Sequence, residues 1–195
     1  MRRVYYPEVE RAMLERTGAA EVVVFDHNWR RAAGAVPAEG GRVVIKEPVS
    51  RVHNDFTLRS GPERAAAELS ARGRDAAAVL KSRFALINLW RPIREPVEDF
   101  PLAVCDAQTI AARDLVPSDL VYRDRVGETY SVTFNPAHRW FYFPHMRLEE
   151  ALFIKCFDSA ADGRARFTAH SAFANPAAEK APPRESIEAR ALVLF

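Results

Sequence analysis

The chain places a histidine and an aspartate two positions apart, in the run Val52-His53-Asn54-Asp55-Phe56. In extended backbone, side chains two apart point to the same face, so an imidazole and a carboxylate would stand side by side. Such a pair supplies two ligands to a divalent metal and needs a third from elsewhere in the fold. The 2-His-1-carboxylate set binds Fe(II) on one face and leaves positions open for substrate and dioxygen. His170, alone in the strand-like run 166–173, is the candidate third ligand. His138 follows the Asn135-Pro136 turn and reads as hydrogen-bonding it, and His145 follows Pro144 and reads as a rim residue. Further on, the last strand opens with Arg184-Glu185-Ser186. Arg184 and Ser186 would share a face, and a guanidinium fork beside a hydroxyl suits a dicarboxylate. Arg190 lies on that same face with Glu188 and is a rival anion binder, in which case Arg184 pairs with Glu185 or Glu188. The order from the His-x-Asp pair through a distal histidine to Arg-x-Ser is a layout for a metal and a 2-oxoacid.

The elements that must carry these residues fall into two stretches. The first half reads as a helix over 7–16, stopped by Gly18, then strands over 21–25, 42–45 and 49–56, with a loop over 30–41. An Ala-rich helix follows over 62–81, broken at Gly73, its arginines forming a solvated face. Thereafter short β-runs succeed one another over 84–90, 102–105, 128–134, 140–143, 152–157, 166–172 and 186–195, separated by turn signals such as Asp162-Gly163. Closely spaced strands after early helices predict a mostly β fold, an antiparallel barrel or sandwich with α-helices packed outside. Asp106 reads as a helix N-cap, and Trp90, Tyr130, Trp140 and Tyr142 as packing or pocket lining. No GxGxxG, P-loop or nucleophile elbow occurs, which excludes the corresponding nucleotide-binding and hydrolase classes.

These motifs resemble those of the non-haem Fe(II)/2-oxoglutarate-dependent oxygenases, whose core is a double-stranded β-helix of the jelly-roll, cupin-like kind. More narrowly the chain is similar to the fungal and bacterial biosynthetic branch related to the cephamycin 7-alpha-hydroxylase component and the fumigatonoid endoperoxide-forming enzyme. The likeness runs along nearly the whole chain, through Tyr5-Tyr6-Pro7-Glu8, Val24-Phe25-Asp26-His27, Val52-His53-Asn54-Asp55, Asn88-Leu89-Trp90-Arg91-Pro92, Asn135-Pro136-Ala137-His138-Arg139-Trp140, Phe167-Thr168-Ala169-His170 and Arg184-Glu185-Ser186. The resemblance implies that His53, Asp55 and His170 hold Fe(II) and that Arg184 and Ser186 hold the distal carboxylate of the cosubstrate 2-oxoglutarate. Asn88 would reach its 1-carboxylate, and Arg190 stays the alternative to Arg184. It also implies oxidation of a small molecule of secondary metabolism by dioxygen, through hydroxylation, desaturation or related C–H chemistry, with 2-oxoglutarate converted to succinate. The whole of 1–195 would be one oxygenase domain, lacking an N-terminal extension that relatives carry.

Composition bounds the remaining choices. The 195 residues carry 28 basic and 26 acidic side chains, a formal charge of +2, with 48% hydrophobic and 28% charged. This is a globular composition, with no strong field to favour nucleic acid or an acidic membrane. Two cysteines, Cys105 and Cys156, make neither a disulfide framework nor a Cys-rich zinc site, and read as buried apolar groups. No signal peptide or apolar span is present, so a cytoplasmic location is expected. A homodimer or a partner subunit stays open. Two rival classes also stay open at this level: a non-catalytic small-molecule-binding or partner-subunit protein, and a cupin-like metalloenzyme that does not use 2-oxoglutarate.

Overall fold

The computed structural model describes residues 1–32, 45–122, 126–178 and 180–195. In chain order the elements are α1 (Tyr5–Thr17), β1 (Glu21–Arg31), β2 (Ile45–Lys46), β3 (His53–Asn54), α2 (Ser60–Ser70), α3 (Ala76–Val79), β4 (Phe84–Pro92) and β5 (Leu102–Cys105). There follow β6 (Leu115–Val121), β7 (Val126–Val132), β8 (Trp140–Tyr142), β9 (Leu152–Asp158), β10 (His170–Ala172) and β11 (Glu185–Leu194). They build two facing sheets, one in the order β2-β1-β11-β4-β9 and the other β6-β7-β3-β10-β5-β8. Successive strands cross between the sheets, β1 to β3 to β4 to β5 and later β8 to β9 to β10 to β11, which is the double-stranded β-helix. All pairings are antiparallel except the short β1–β2 contact.

The first sheet is buried on both faces, which is why β4 reads as an apolar run over 84–90, interrupted by the buried polar Asn88. Its outer face packs under α1: Tyr6, Val9 and Met13 meet Val22, Val24, Ile87, Leu89, Ala191 and Val193. Gly18 ends α1 at φ 68, a left-handed turn that suits glycine, and its N–H closes on the Leu14 carbonyl. The inner face carries Leu86, Leu192 and Leu194 against α2, and Trp90 and Ile154 against Val97 and Leu102. Each such side chain contributes about 1.5–3 kcal/mol by leaving water.

Several elements depart from the sequence reading. β1 does not stop at Phe25 but runs to Arg31 through Asp26, His27 and Asn28. Its register shifts between Val24 and Asp26, so Phe25 forms a bulge. A bulge of one residue exchanges the two faces of a strand. Val22 and Val24 therefore face α1, whereas Asp26, Asn28 and Arg30 turn to the inner face. A polar run looks like a strand end only if the interior is apolar, and here it is not. The strand expected over 49–56 shrinks to the two residues of β3, and that over 166–172 to the three of β10; the Asn54 side chain, not a neighbouring strand, takes the Phe56 carbonyl and the Thr168 N–H. β6 was not expected: Pro117 and Asp119 mask a strand that lies at a sheet edge, where proline is tolerated. The helix over 62–81 divides into α2 and α3 around Gly73 at φ 69. Most of the loop expected over 30–41, and residues 42–44 of the strand after it, lie outside the described residues.

Candidate metal centre

β3 and β10 are neighbours in the second sheet, and His53 pairs directly with His170. Paired residues on antiparallel strands project to one face, and the two imidazole centroids lie 4.5 Å apart. Asp55 follows β3 at once, its Oδ1 3.5 Å from His53 Nε2. The ligand atoms of His53, Asp55 and His170 all lie within 4.8 Å of one another. Asn54, between the two ligand candidates, is fully buried and points the other way. Its Nδ2 donates to the carbonyls of Phe56 (2.6 Å) and Cys156 (2.9 Å), and its Oδ1 accepts from Thr168 N–H at 3.4 Å. One amide thus ties the His-x-Asp turn to β9 and to the residues leading into β10.

The proton arrangement suits a metal. His53 Nδ1 lies 2.8 Å from the Arg51 carbonyl and His170 Nδ1 lies 3.0 Å from the Thr168 carbonyl. A carbonyl only accepts, so each Nδ1 carries the hydrogen and each Nε2 offers a lone pair. This orienting hydrogen bond on the far ring nitrogen is what metal-binding histidines use. Burial, and then His53 beside it, pulls His170 below the ordinary imidazole range, which favours the neutral ligand form. Burial would also lower His53, but its hydrogen bond and attraction to Asp55 outweigh this and raise it. Asp55 is pushed up by burial yet held well below the usual carboxylate range by Arg190, His53 and His170. A buried anion ringed by these groups, with two bare imidazole nitrogens, fits a divalent cation.

The other candidate residues sort into two places. Arg184, 3% exposed, lies over Trp90 with its guanidinium 5.5 Å from the ring, and its Nη1 donates to the Phe100 carbonyl. Its Nε has no partner among the described residues, and neither has the Oγ of the buried Ser186. Burial and the nearby Arg30 pull Arg184 down to about 10. Unmatched buried donors of this kind fit a carboxylate. Glu185 meets Arg31 at 3.5 Å, and Glu188 meets Arg190 at 3.2 Å, so among the described residues neither carboxylate forms an ion pair with Arg184. Arg190 instead sits beside Asp55, at 3.0 Å, and Asn88 Nδ2 donates to that same Asp55 at 2.8 Å.

The His138 N–H closes the turn on the Asn135 carbonyl at 3.0 Å, but its ring meets the buried Asp114, at 3.1 Å, and not the turn; Asn135 Nδ2 donates to the same Asp114. His145 stands exposed near Glu98. Asp106 caps the short 3-10 turn Ala107–Thr109. Trp90 and Tyr130 are core, and both cysteines are buried thiols. Sequence reasoning missed Asn54, Asp26 and the position of Glu188; the alternation 184, 186, 188, 190 was the one signal available for the last. A cavity of about 610 Å³ borders the centre through Asp55 and Arg190, its walls including Asp26, Lys46, Arg64 and Glu128.

The likeness to known proteins agrees with this geometry. A family model described as "Oxidoreductase/YMDC permease-like domain" matches residues 1–194. The hydroxylase/desaturase efuI of Hormonema carpetanum is 35% identical, over 98% of this chain and 70% of its own length. The Fe(II)/2-oxoglutarate-dependent dioxygenase nvfI of Aspergillus novofumigatus is 38% identical, over 97% of this chain and 66% of its own. The solved structure of the iron and alpha-ketoglutarate-dependent endoperoxidase NvfI gives a TM-score of 0.84 at 35% identity, covering 97% of this chain and 68% of that one. The chain belongs to the Fe(II)/2-oxoglutarate-dependent dioxygenases. It spans about two thirds of the length of these relatives. No described helix is long and apolar enough to cross a membrane.

Proposed function

We propose that the chain oxidises a C–H bond of a small secondary metabolite, by hydroxylation, desaturation or a related outcome, with His53, Asp55 and His170 as the Fe(II) ligands. The observation that carries the ligand set is the pair of imidazoles whose Nδ1–H groups are spent on backbone carbonyls, leaving both Nε2 atoms beside Asp55 Oδ1. Bound there, the metal supplies dioxygen activation, with decarboxylation of 2-oxoglutarate to succinate. The chain's own residues do the rest. Three ligands from one side leave the other side for cosubstrate and dioxygen. Arg184 and Ser186 bind and orient the distal carboxylate, using the two donors that lack partners among the described residues. Trp90 stacks on Arg184 and keeps water from it, which strengthens the ion pair. The 610 Å³ cavity beside Asp55 is of the size that small ligands occupy, and its mixed walls suit an oxygenated organic molecule.

Residues 1–195 act as one double-stranded β-helix unit, and two buried free thiols agree with a cytoplasmic setting. The test is succinate formation from 2-oxoglutarate after addition of Fe(II). Metal-dependent succinate is expected, abolished by Asp55→Ala. Protein that binds no iron would be a binding module. Protein that binds iron but forms no succinate from 2-oxoglutarate would point to a metalloenzyme that does without 2-oxoglutarate.

A further inference from the structure

Asp55 offers two oxygens, and the fold occupies one of them. Oδ2 accepts from Asn88 Nδ2 at 2.8 Å and from Arg190 Nε at 3.0 Å, while Oδ1 faces His53 Nε2 at 3.5 Å. Arg190 spends its other nitrogens on carboxylates too: Nη1 on Asp26 Oδ2 at 3.1 Å and Nη2 on Glu188 Oε1 at 3.2 Å. Glu188 Oε1 also accepts from Asn88 Nδ2, at 3.2 Å. The Asn88 orientation is dictated by chemistry, because the flipped amide would set its oxygen against two carboxylates. The pieces stand in register. Asp26, Arg190 and Asn88 lie opposite one another across β1, β11 and β4, and Glu188 is two residues along β11. Asp26 reaches this row only because of the bulge at Phe25.

We propose that Asn88, Arg190 and Glu188 are positioning residues that lock Asp55 into presenting Oδ1 alone, so that it ligates through a single oxygen. Arg190 is thereby not the arginine that binds the cosubstrate. This rests on the reading of Asp55 as a metal ligand. The physical reason is the count of coordination positions. A carboxylate free to turn would bind through both oxygens and fill a position that the facial set keeps open. Two hydrogen bonds to Oδ2, one of them from a charged donor, make that turn costly. Each of the three Arg190 nitrogens already meets a carboxylate, of Asp55, Asp26 and Glu188, so none is left to form a fork with a further one.

The test is calorimetric titration of Co(II) into the wild-type chain and into Asn88→Ala, Arg190→Lys and Arg184→Lys, then of 2-oxoglutarate into each Co(II)-loaded protein. Loss of the bracket should weaken Co(II) binding by about 10-fold or more in Asn88→Ala and Arg190→Lys. It should also weaken the visible Co(II) absorption, as the freed carboxylate adds a second oxygen and raises the coordination number. Both variants should keep 2-oxoglutarate affinity within about threefold, and Arg184→Lys should show the reverse pattern. Unchanged Co(II) affinity and spectrum in Asn88→Ala overturn the bracket, as does an Arg190→Lys variant that loses 2-oxoglutarate and keeps Co(II). Wild-type protein that binds no Co(II) overturns the ligand set itself, a different result from equal binding by all. Circular dichroism checks folding, and if Arg190→Lys does not fold, Asn88→Ala decides alone.

Discussion

His53 and His170 stand opposite each other on neighbouring antiparallel strands, and each donates its Nδ1 hydrogen to the carbonyl two residues before it. The two rings are thus oriented by the same local device, on strands too short to be stable alone. What holds those strands is their neighbours: β3 lies between β7 and β10, and β10 between β3 and β5.

From this follows a prediction for His170→Ala. Its buried side chain supports no other described element by hydrogen bonding except through Nδ1, so the chain should fold while Co(II) affinity falls by about 100-fold or more. Metal-dependent succinate should drop to background. Calorimetry and a succinate assay check both, and retained Co(II) affinity would remove His170 from the ligand set.

The anion site gives a graded prediction. Replacing Arg184 by glutamine removes a charged donor from a buried carboxylate, about 2 kcal/mol, which raises the 2-oxoglutarate KM roughly 30-fold. Ser186→Ala removes a neutral donor, about 1 kcal/mol, and should raise it about fivefold. Equal KM values in both variants and the wild type would leave the cosubstrate elsewhere.

How far the grouping of the candidate site residues was legible depends on which level fixed each one. His53 and Asp55 were legible because a spacing of two has a direct geometric meaning in extended chain. His170 was legible from its position in a strand-like run. The choice between Arg184 and Arg190 was not, because both fall on one face of β11 and alternation cannot tell them apart. What separates them is the opposing surface: Arg190 meets Asp26 across the sheet and Asp55 from the other sheet, and neither contact has a local signature. The bulge at Phe25 and the edge strand β6 were hidden for the same reason. A bulge is set by pairing with β11, and an edge strand needs no apolar pattern to declare itself. The long-range order of the sheets came from the resemblance and not from periodicity.

Asp158 supplies a pH prediction away from the centre. Its side chain is fully buried and held by Arg83 in a two-bond fork, at 3.1 and 2.8 Å, and by Lys155 at 3.1 Å. Burial raises it, but Arg83, the Ala160 N–H and Lys155 outweigh that and leave it below the usual carboxylate range. A depressed carboxylate adds stability above its unfolded pKa, near 4, and that stability is lost as pH falls through the folded value. Asp158→Asn should therefore cost about 2 kcal/mol at pH 7 and progressively less below about pH 4. Urea unfolding at the two pH values measures it, and a cost independent of pH would show that the charge is not what stabilises.

Gly61 carries the last prediction, because it shows how the candidate metal centre is tied to its surroundings. α2 begins at Ser60, a few residues past Asp55, and presses Gly61 onto the Phe157 ring of β9. A Cβ at this position would lie 2.5 Å from Cδ2 and 2.7 Å from Cγ of that ring. The ring has nowhere to go, since it stacks on Phe84 at 5.5 Å and is closed on another side by Phe167 at 6.1 Å. Gly61→Ala should thus cost about 2 kcal/mol through overpacking, a fall in Tm of roughly 4–8 °C for a chain of this size. Because the displaced helix leads back to Asp55 within one short turn, Co(II) affinity should fall as well. Phe157→Leu in the same chain makes room for the methyl group, so the double variant should lose less than the sum of the two single changes. Additive losses would mean that Gly61 is needed for its backbone freedom and not for the closeness of α2 to β9.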